Sequence, residues 1–450
     1  GVTNLTNILA IDTAAKLTGK PPRVYMVDSD SFYATLERAY YFLENPIHKR
    51  IDAIVNDIKN AVAQTAATVA SLSEMIIMDG IKRNATDIHI MPAAETVHIL
   101  YRIDGVLQHA RCLPRSTQNG IVSRIKILSQ LDIAEQRLPQ DGSFTFSFLS
   151  RKYDMRISTI PTIYGENVVI RVLGGSGLLL RISSLGFDEQ DTERLQLLFS
   201  KPYGIILITG PTGSGKTTTL YAALREIDLL EKNVITVEDP VEYKLSFVRQ
   251  TEVNEKAGYD FALAGRNFMR QDPDVILLGE IRDEETSKIA IRSSITGHLV
   301  LATLHTNDAV TSIPRLVDLN VDRYLLSASI LAVVAQRLVR KICMNCKAEV
   351  DIENGYLRSI GLPDLEGKVK KAHKGAGCVL CSHTGYAGRI SIGEILIVND
   401  EIKELIYSGA SVQAIKEAAS RNGMKTLRDA GIRKAIAGIT TFEDVVRVAG

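Results

Sequence analysis

The stretch "GPTGSGKTTTLY", Gly210 to Tyr221, constrains this chain more than any other. Two glycines bracket four residues, and Lys216 and Thr217 follow at once. Such a loop curls its backbone N–H groups around phosphate oxygens, because glycine permits the necessary φ values and the close approach. Upstream, "YGIILITG" is the short β-branched apolar run of a buried parallel strand. Downstream, Leu220, Ala223, Leu224 and Ile227 recur at helical spacing. Strand, loop and helix in this order place an anion at a helix N-terminus. The loop residues Gly210, Pro211, Thr212, Gly213, Ser214, Gly215, Lys216, Thr217 and Thr218 are therefore the candidate nucleotide-phosphate cradle. Lys216 is placed to reach the β- and γ-phosphates of a nucleoside triphosphate, and the Thr217 hydroxyl to hold Mg²⁺.

A sheet built around this loop needs only part of 450 residues, so two or three domains are expected. Residues 1–45 read as a strand and a helix, too little for a complete domain. Residues 46–84 read as a helical linker, with a break near Ser71–Ser73. Residues 85–173 form an α+β domain: "TVHILYRIDGVLQ" alternates and turns at Asp104-Gly105, and "FTFSFL", "YDMRISTI" and "NVVIRVL" are strand-like. Residues 174–186, beginning with "GGSG", form an interdomain linker. Residues 187–450 alternate strands with helices, which means a parallel sheet covered on both faces, followed by a cysteine insert (341–392) and helices. The formal net charge of +1 gives no support to a nucleic-acid partner. The start "GVTNLTNILAID" lacks the pattern of a signal peptide. The longest apolar run, Leu325 to Ala335, falls short of a membrane span. A cytoplasmic location is expected, with membrane contact only through partners.

Three further strands carry polar residues at their ends. "NVITVEDPVEY" delivers Glu238, Asp239 and Glu242, and "PDVILLGEIRD" delivers Glu280, Arg282 and Asp283. "GHLVLATLHTND" is bracketed by His298 and His305. Acids at strand ends beside a phosphate loop can hold Mg²⁺ or polarise an attacking water, although they also serve as helix caps. Positive charge for the transferring phosphoryl group is available from Arg156 and Arg171, which flank a turn at residues 161–166. On the residues alone, surface charge on a sheet edge is the better explanation of these two arginines.

Cys343-x-x-Cys346 and Cys378-x-x-Cys381 read as a tetrahedral Zn²⁺ site stapling the insert. Disulfides and iron in the same ligand set are the alternatives. Cys112 stands alone and reads as a core residue.

Taken together these segments resemble the secretion ATPases that power type II secretion and type IV pilus assembly. The matching stretches run in order: "ATDIHI", "YRIDGVLQ", "LDIAEQRLPQDG", "RISTIPTIYGENVVIR", the phosphate loop, "TVEDPVEY", "RQDPDVILLGEIRD", "GHLVLATLHTND", "AQRLVRKIC" and the paired CxxC knuckles. They cover residues 70 to 450. The resemblance implies an α/β fold, a RecA-like P-loop domain preceded by a smaller α+β, PAS-like domain, assembled as a homo-hexamer. Residues 1–45 would then be the remnant of an N-terminal docking domain. Arg156 and Arg171 match phosphate-contacting arginines. Glu280 matches the Walker B glutamate and Glu238 the aspartate-box glutamate; either is a candidate to activate water, with Glu238 leading for that role and Glu280 for positioning Mg²⁺ and water. His305 matches the histidine box as a contact to the γ-phosphate, and His298 as a nucleotide contact. The implied partners are an inner-membrane platform protein and a cytoplasmic docking protein of the pilus or secretion machine. The CxxC pair points to assembly or export rather than retraction. Type IV pilus assembly leads. Type II secretion is the alternative, ahead of DNA uptake or a non-hydrolysing scaffold.

Overall fold

In this computed structural model the described residues are 8–19, 21, 22, 24, 26, 29–59, 66–149, 151–174, 181–353 and 355–450. The chain divides into two compact units, residues 1–176 and 177–450. Residues 175–180 of the expected 174–186 linker lie outside the described residues.

Unit 1 begins with helices α1 (Ile8–Thr18), α2 (Ser29–Glu44), α3 (Ile47–Lys59) and α4 (Ala66–Lys82). Helix α4 runs without interruption through Ser71–Ser73, where a break was expected. The Ser73 hydroxyl donates to the Val69 carbonyl, so it bonds within the helix instead of ending it. Strands β1 (Asp87–Pro92), β2 (Thr96–Ile103) and β3 (Val106–Pro114) follow, then α5 (Gln118–Leu128), β4 (Gln140–Phe148), β5 (Arg151–Thr162) and β6 (Gly165–Leu173). They form one antiparallel sheet of order β3-β2-β1-β6-β5-β4. The hairpin turn is where the sequence puts it, with Asp104 and Gly105 both at positive φ (50° and 82°). Period-two alternation decides the buried face: Tyr153, Met155 and Ile157 point in, with Ile47, Ile51, Leu72, Ile76 and Ile125 from the helices.

Unit 2 starts with α6 (Glu189–Phe199) and β7 (Gly204–Thr209), then α7 (Lys216–Leu224), β8 (Val234–Glu238), β9 (Val248–Glu252), α8 (Phe261–Phe268), β10 (Val275–Leu278), α9 (Glu284–Ile295) and β11 (Leu299–Leu304). Helices α10 (Ser312–Asp318) and α11 (Arg323–Ser329) lead into β12 (Ile330–Ile342). The longest apolar run is thus divided between a helix and a strand. The insert contributes β13 (Lys347–Asp351), α12 (Tyr356–Ser359) and β14 (Lys371–Gly375). Strand β15 (Tyr386–Ile397) and helices α13 (Asp400–Ser408), α14 (Val412–Arg421), α15 (Leu427–Ile436) and α16 (Phe442–Ala449) complete the unit.

The main sheet has the order β15-β12-β7-β11-β10-β8-β9, parallel except for β15. It is buried on both faces. Ile205, Leu207, Val300 and Ala302 join one core, and Ile206, Ile208, Leu299 and Leu301 the other. The carboxyl ends of β7, β8, β10 and β11 therefore gather at one edge, where α/β sheets place their ligands.

Candidate functional site

The phosphate loop leaves β7, whose six residues are all buried, and enters α7 through Gly215. Gly215 has φ 91°, and a Cβ there would come within 2.8 Å of the Gln336 amide nitrogen. A Cβ on Gly210 would lie 2.6 Å from the Gln336 carbonyl. Only glycine tolerates both the conformation and the approach. Gln336, almost fully buried on β12, shapes the loop from behind. Its amide donates to the Ser214 carbonyl (3.0 Å) and to the Ser391 hydroxyl (3.1 Å), and its carbonyl accepts from the Thr219 hydroxyl (2.7 Å).

Lys216, Glu280 and His305 lie together beside the loop. Glu280 follows β10 and accepts from the Arg282 guanidinium at 2.7 Å. Its other oxygen lies 3.1 Å from His305 Nε2, just beyond β11. Burial lowers the pKa of Lys216, which Glu280 partly opposes. Burial also lowers that of His305, helped by the Lys216 charge and opposed by Glu280. Glu238 ends β8 in a buried position. It accepts from the Tyr221 hydroxyl in a short contact, from the Thr236 hydroxyl (2.6 Å) and from the Gln250 amide (3.2 Å). Burial, and then the bond to Glu238, push the Tyr221 phenol far above its usual range. Tyr221 thus stays a neutral donor, and three donors fix the orientation of Glu238. Asp283 caps α9 by accepting from the Thr286 amide (2.8 Å). Glu242 is exposed, while its amide donates to the Tyr221 oxygen (3.3 Å).

The donor set fits a nucleotide with Mg²⁺. Lys216 Nζ is turned onto the loop's own carbonyls, Gly210 at 2.7 Å and Pro211 at 3.3 Å, bonds that a phosphate can replace. The buried Ser214 hydroxyl lacks a hydrogen-bond partner in the loop. The Thr217 hydroxyl and the Glu280 carboxylate supply the hard oxygen donors that Mg²⁺ requires.

The remaining expected residues lie elsewhere. His298 precedes β11 and so sits at the strand end opposite the phosphate loop. Its ring lies 2.9 Å from the Ser293 carbonyl and 3.2 Å from the Thr296 hydroxyl. Within this chain His298 is not brought to the loop, contrary to the sequence reading: six strand residues separate it from His305. Arg156 and Arg171 belong to unit 1 and face each other across β5 and β6 on the exposed side of the sheet. Asp87 on β1 accepts from Arg171 Nε (3.1 Å) and lies 3.6 Å from Arg102 Nε. Arg102, Asp87, Arg171 and Arg156 therefore form one row across four neighbouring strands.

The four cysteines of the insert also converge. Sulfur separations are 3.9 Å (Cys343–Cys378), 3.8 Å (Cys346–Cys381) and 3.7 Å (Cys378–Cys381). A tetrahedral ion with metal–sulfur bonds of about 2.3 Å requires about 3.8 Å. All four are free thiols, so the disulfide alternative fails. The Asn345 amide draws the Cys378 thiol down to about 6, while burial pushes the Cys346 thiol up to about 12. Leu357 and Leu362 of the insert share a core with Ala435, Phe442 and Val445 of α15 and α16.

The family described as Type II/IV secretion system protein matches residues 62–447. The chain belongs to this family. It is 48% identical to the type IV pilus assembly ATPase PilB of Thermus thermophilus, over 83% of this chain and 42% of that protein. It is 40% identical to the type II secretion system protein E of Dickeya dadantii, over 98% of this chain and 91% of that one. The solved pilus retraction motor PilT with bound ADP is 28% identical, with a TM-score of 0.56, covering 83% of this chain and 95% of that chain. The chain thus spans less than half of the Thermus relative and most of the other two. The family is one of ATPases, in agreement with the enzyme class expected from the sequence.

In this secretion-family chain, sequence reasoning missed Tyr221, Gln250, Gln336, Asp87 and Arg102. Gln336 had a signal: it is a lone amide in the apolar run "LAVVAQRLV". Tyr221 and Gln250 had none, because their roles arise only when α7 and β9 flank the end of β8.

Proposed function

We propose that this chain is the ATP-hydrolysing motor of type IV pilus assembly, working as a homo-hexamer at the inner membrane. What carries the reading is the meeting of Lys216, Glu280 and His305 at the carboxyl edge of one sheet, beside a phosphate loop and a buried, oriented Glu238. Lys216 leaves the Gly210 carbonyl to neutralise the transferring phosphoryl group. The Thr217 hydroxyl and Glu280 would hold Mg²⁺, which supplies charge to the β- and γ-phosphate oxygens. Glu238, held by Tyr221, Thr236 and Gln250, takes the proton of the attacking water. His305 contacts the γ-phosphate. Arg156 and Arg171 supply positive charge from unit 1. The tetracysteine cluster holds Zn²⁺ as a structural staple. The platform protein and the cytoplasmic docking protein receive the motion. No helix among the described residues is long and apolar enough to cross a membrane.

Identity to PilB at 48% supports the pilus reading. Type II secretion is the second reading, supported by the Dickeya relative that matches 98% of this chain. Two experiments test these statements. Lys216→Ala is expected to lower phosphate release at least ~100-fold; unchanged turnover would remove the enzyme reading. Affinity capture from native membranes separates the systems: pilins and a pilus platform mark the assembly motor, and a secretion platform marks the exporter.

A further inference from the structure

We propose a second metal site, on the outer face of the β2–β3 hairpin, formed by His98, His109 and Cys112 and taking one divalent d-block cation of the zinc class. The three donor atoms form a closed triangle. His98 Nδ1 lies 3.1 Å from His109 Nε2, and Cys112 Sγ lies 3.4 Å from each. A tetrahedral ion with bonds of about 2.05 Å to nitrogen and about 2.3 Å to sulfur needs separations of about 3.3 Å and 3.6 Å. The observed triangle is within 0.2 Å of that set.

The backbone is built for the convergence. His98 and Cys112 are direct cross-strand partners. His109 and Cys112 are three residues apart, which in a regular strand puts them on opposite faces. The register shifts between Ile99 and Leu100, whose partners are Arg111 and His109. Ala110 is thereby an extra residue, and the bulge turns His109 onto the face of Cys112. Contrary to the sequence reading, Cys112 is exposed and not in the core.

Hydrogen bonding alone satisfies the triangle poorly. Thr96 Oγ1 lies 3.2 Å from His98 Nε2. With the Nε2–H directed to that hydroxyl, Nδ1 presents a lone pair to the triangle. Its three contacts then share at most two hydrogens, one from the thiol and one from His109. A cation engages all three lone pairs once the thiol has lost its proton, and Thr96 supplies the outer hydrogen bond that orients a metal-binding imidazole. The fourth position faces solvent, so water completes the shell. Strand β3 is the edge of its sheet, and the ion would clip it to β2 across the bulge.

The site is independent of the nucleotide chemistry, and the full chain tests it with Zn²⁺ alone. Dialysis against Zn²⁺ followed by elemental analysis should give one more zinc per chain in the wild type than in His98→Ala/His109→Ala, both retaining the insert's ion. Added Zn²⁺ should slow alkylation of Cys112, read by mass spectrometry, at least ~tenfold, since the thiolate is both nucleophile and ligand. Thr96→Val should weaken zinc binding about tenfold while leaving the three ligands in place. Equal zinc content in wild type and double variant, or alkylation of Cys112 unaffected by Zn²⁺, would overturn the proposal.

Discussion

At the scale of single residues, the acids of the site differ in what holds them. Glu280 is tied to the Arg282 guanidinium and the His305 ring, partners that a cation can replace. Glu238 is tied to neutral donors in a buried place. Tyr221→Phe removes one of these donors without touching the phosphate loop. Turnover should fall about 10-fold to 100-fold with little change in nucleotide affinity, measured by phosphate release and by titration with a fluorescent nucleotide. Unit 1 holds a residue with a calculable pH effect. Burial is the main cause that holds the His48 pKa below 6.5; Arg83, Arg111 and Lys82 add to it, and Asp79 opposes. Arg83 and Arg111 approach the two ring nitrogens at 3.1 and 3.0 Å. The folded state thus binds fewer protons than the unfolded state between the lowered value and 6.5. Stability from this group is intact above 6.5 and is lost as pH falls through the window. His48→Asn should flatten that part of the melting-temperature profile; an unchanged profile would exclude His48 as its source.

Among elements, β12 carries more of the site than any motif suggests. It pairs with β7 and presents Gln336 under the phosphate loop. Gln336→Leu leaves the Ser214 carbonyl and Thr219 hydroxyl without this partner, at a cost of about 2 kcal/mol. A melting shift of about 5 °C is expected, with weaker nucleotide binding, by calorimetry. The row across β2, β1, β6 and β5 obeys the same logic: register, not sequence distance, puts Asp87 between Arg102 and Arg171. The continuous α4 shows the limit of reading breaks from serines, because a hydroxyl can bond back into its own helix.

For the whole molecule, the proposed function gives Arg171 of unit 1 a part in turnover. Arg171→Ala should lower turnover by about 1,000-fold while ADP binding and the melting temperature stay near wild type, since its side chain is more than half exposed. Retained turnover would assign Arg171 to its pairing with Asp87 alone.

The sequence by itself determined the α/β class, the phosphate loop, the paired cysteine knuckles and the hairpin at Asp104-Gly105. Each is a local pattern, whose chemistry is set by residues adjacent along the chain. Only the tertiary structure decided which strand-end groups meet. His305 reaches Glu280 because β11 and β10 are parallel neighbours, and His298 does not because it precedes the same strand. Tyr221 reaches Glu238, and Gln336 the phosphate loop, across 17 and 122 residues of sequence. Cys112 joins two histidines because one extra residue in β3 reverses which way His109 faces. Such contacts depend on sheet order, register and bulges, which arise from packing the whole chain; of these residues only Gln336 is marked locally, as a lone amide in an apolar run.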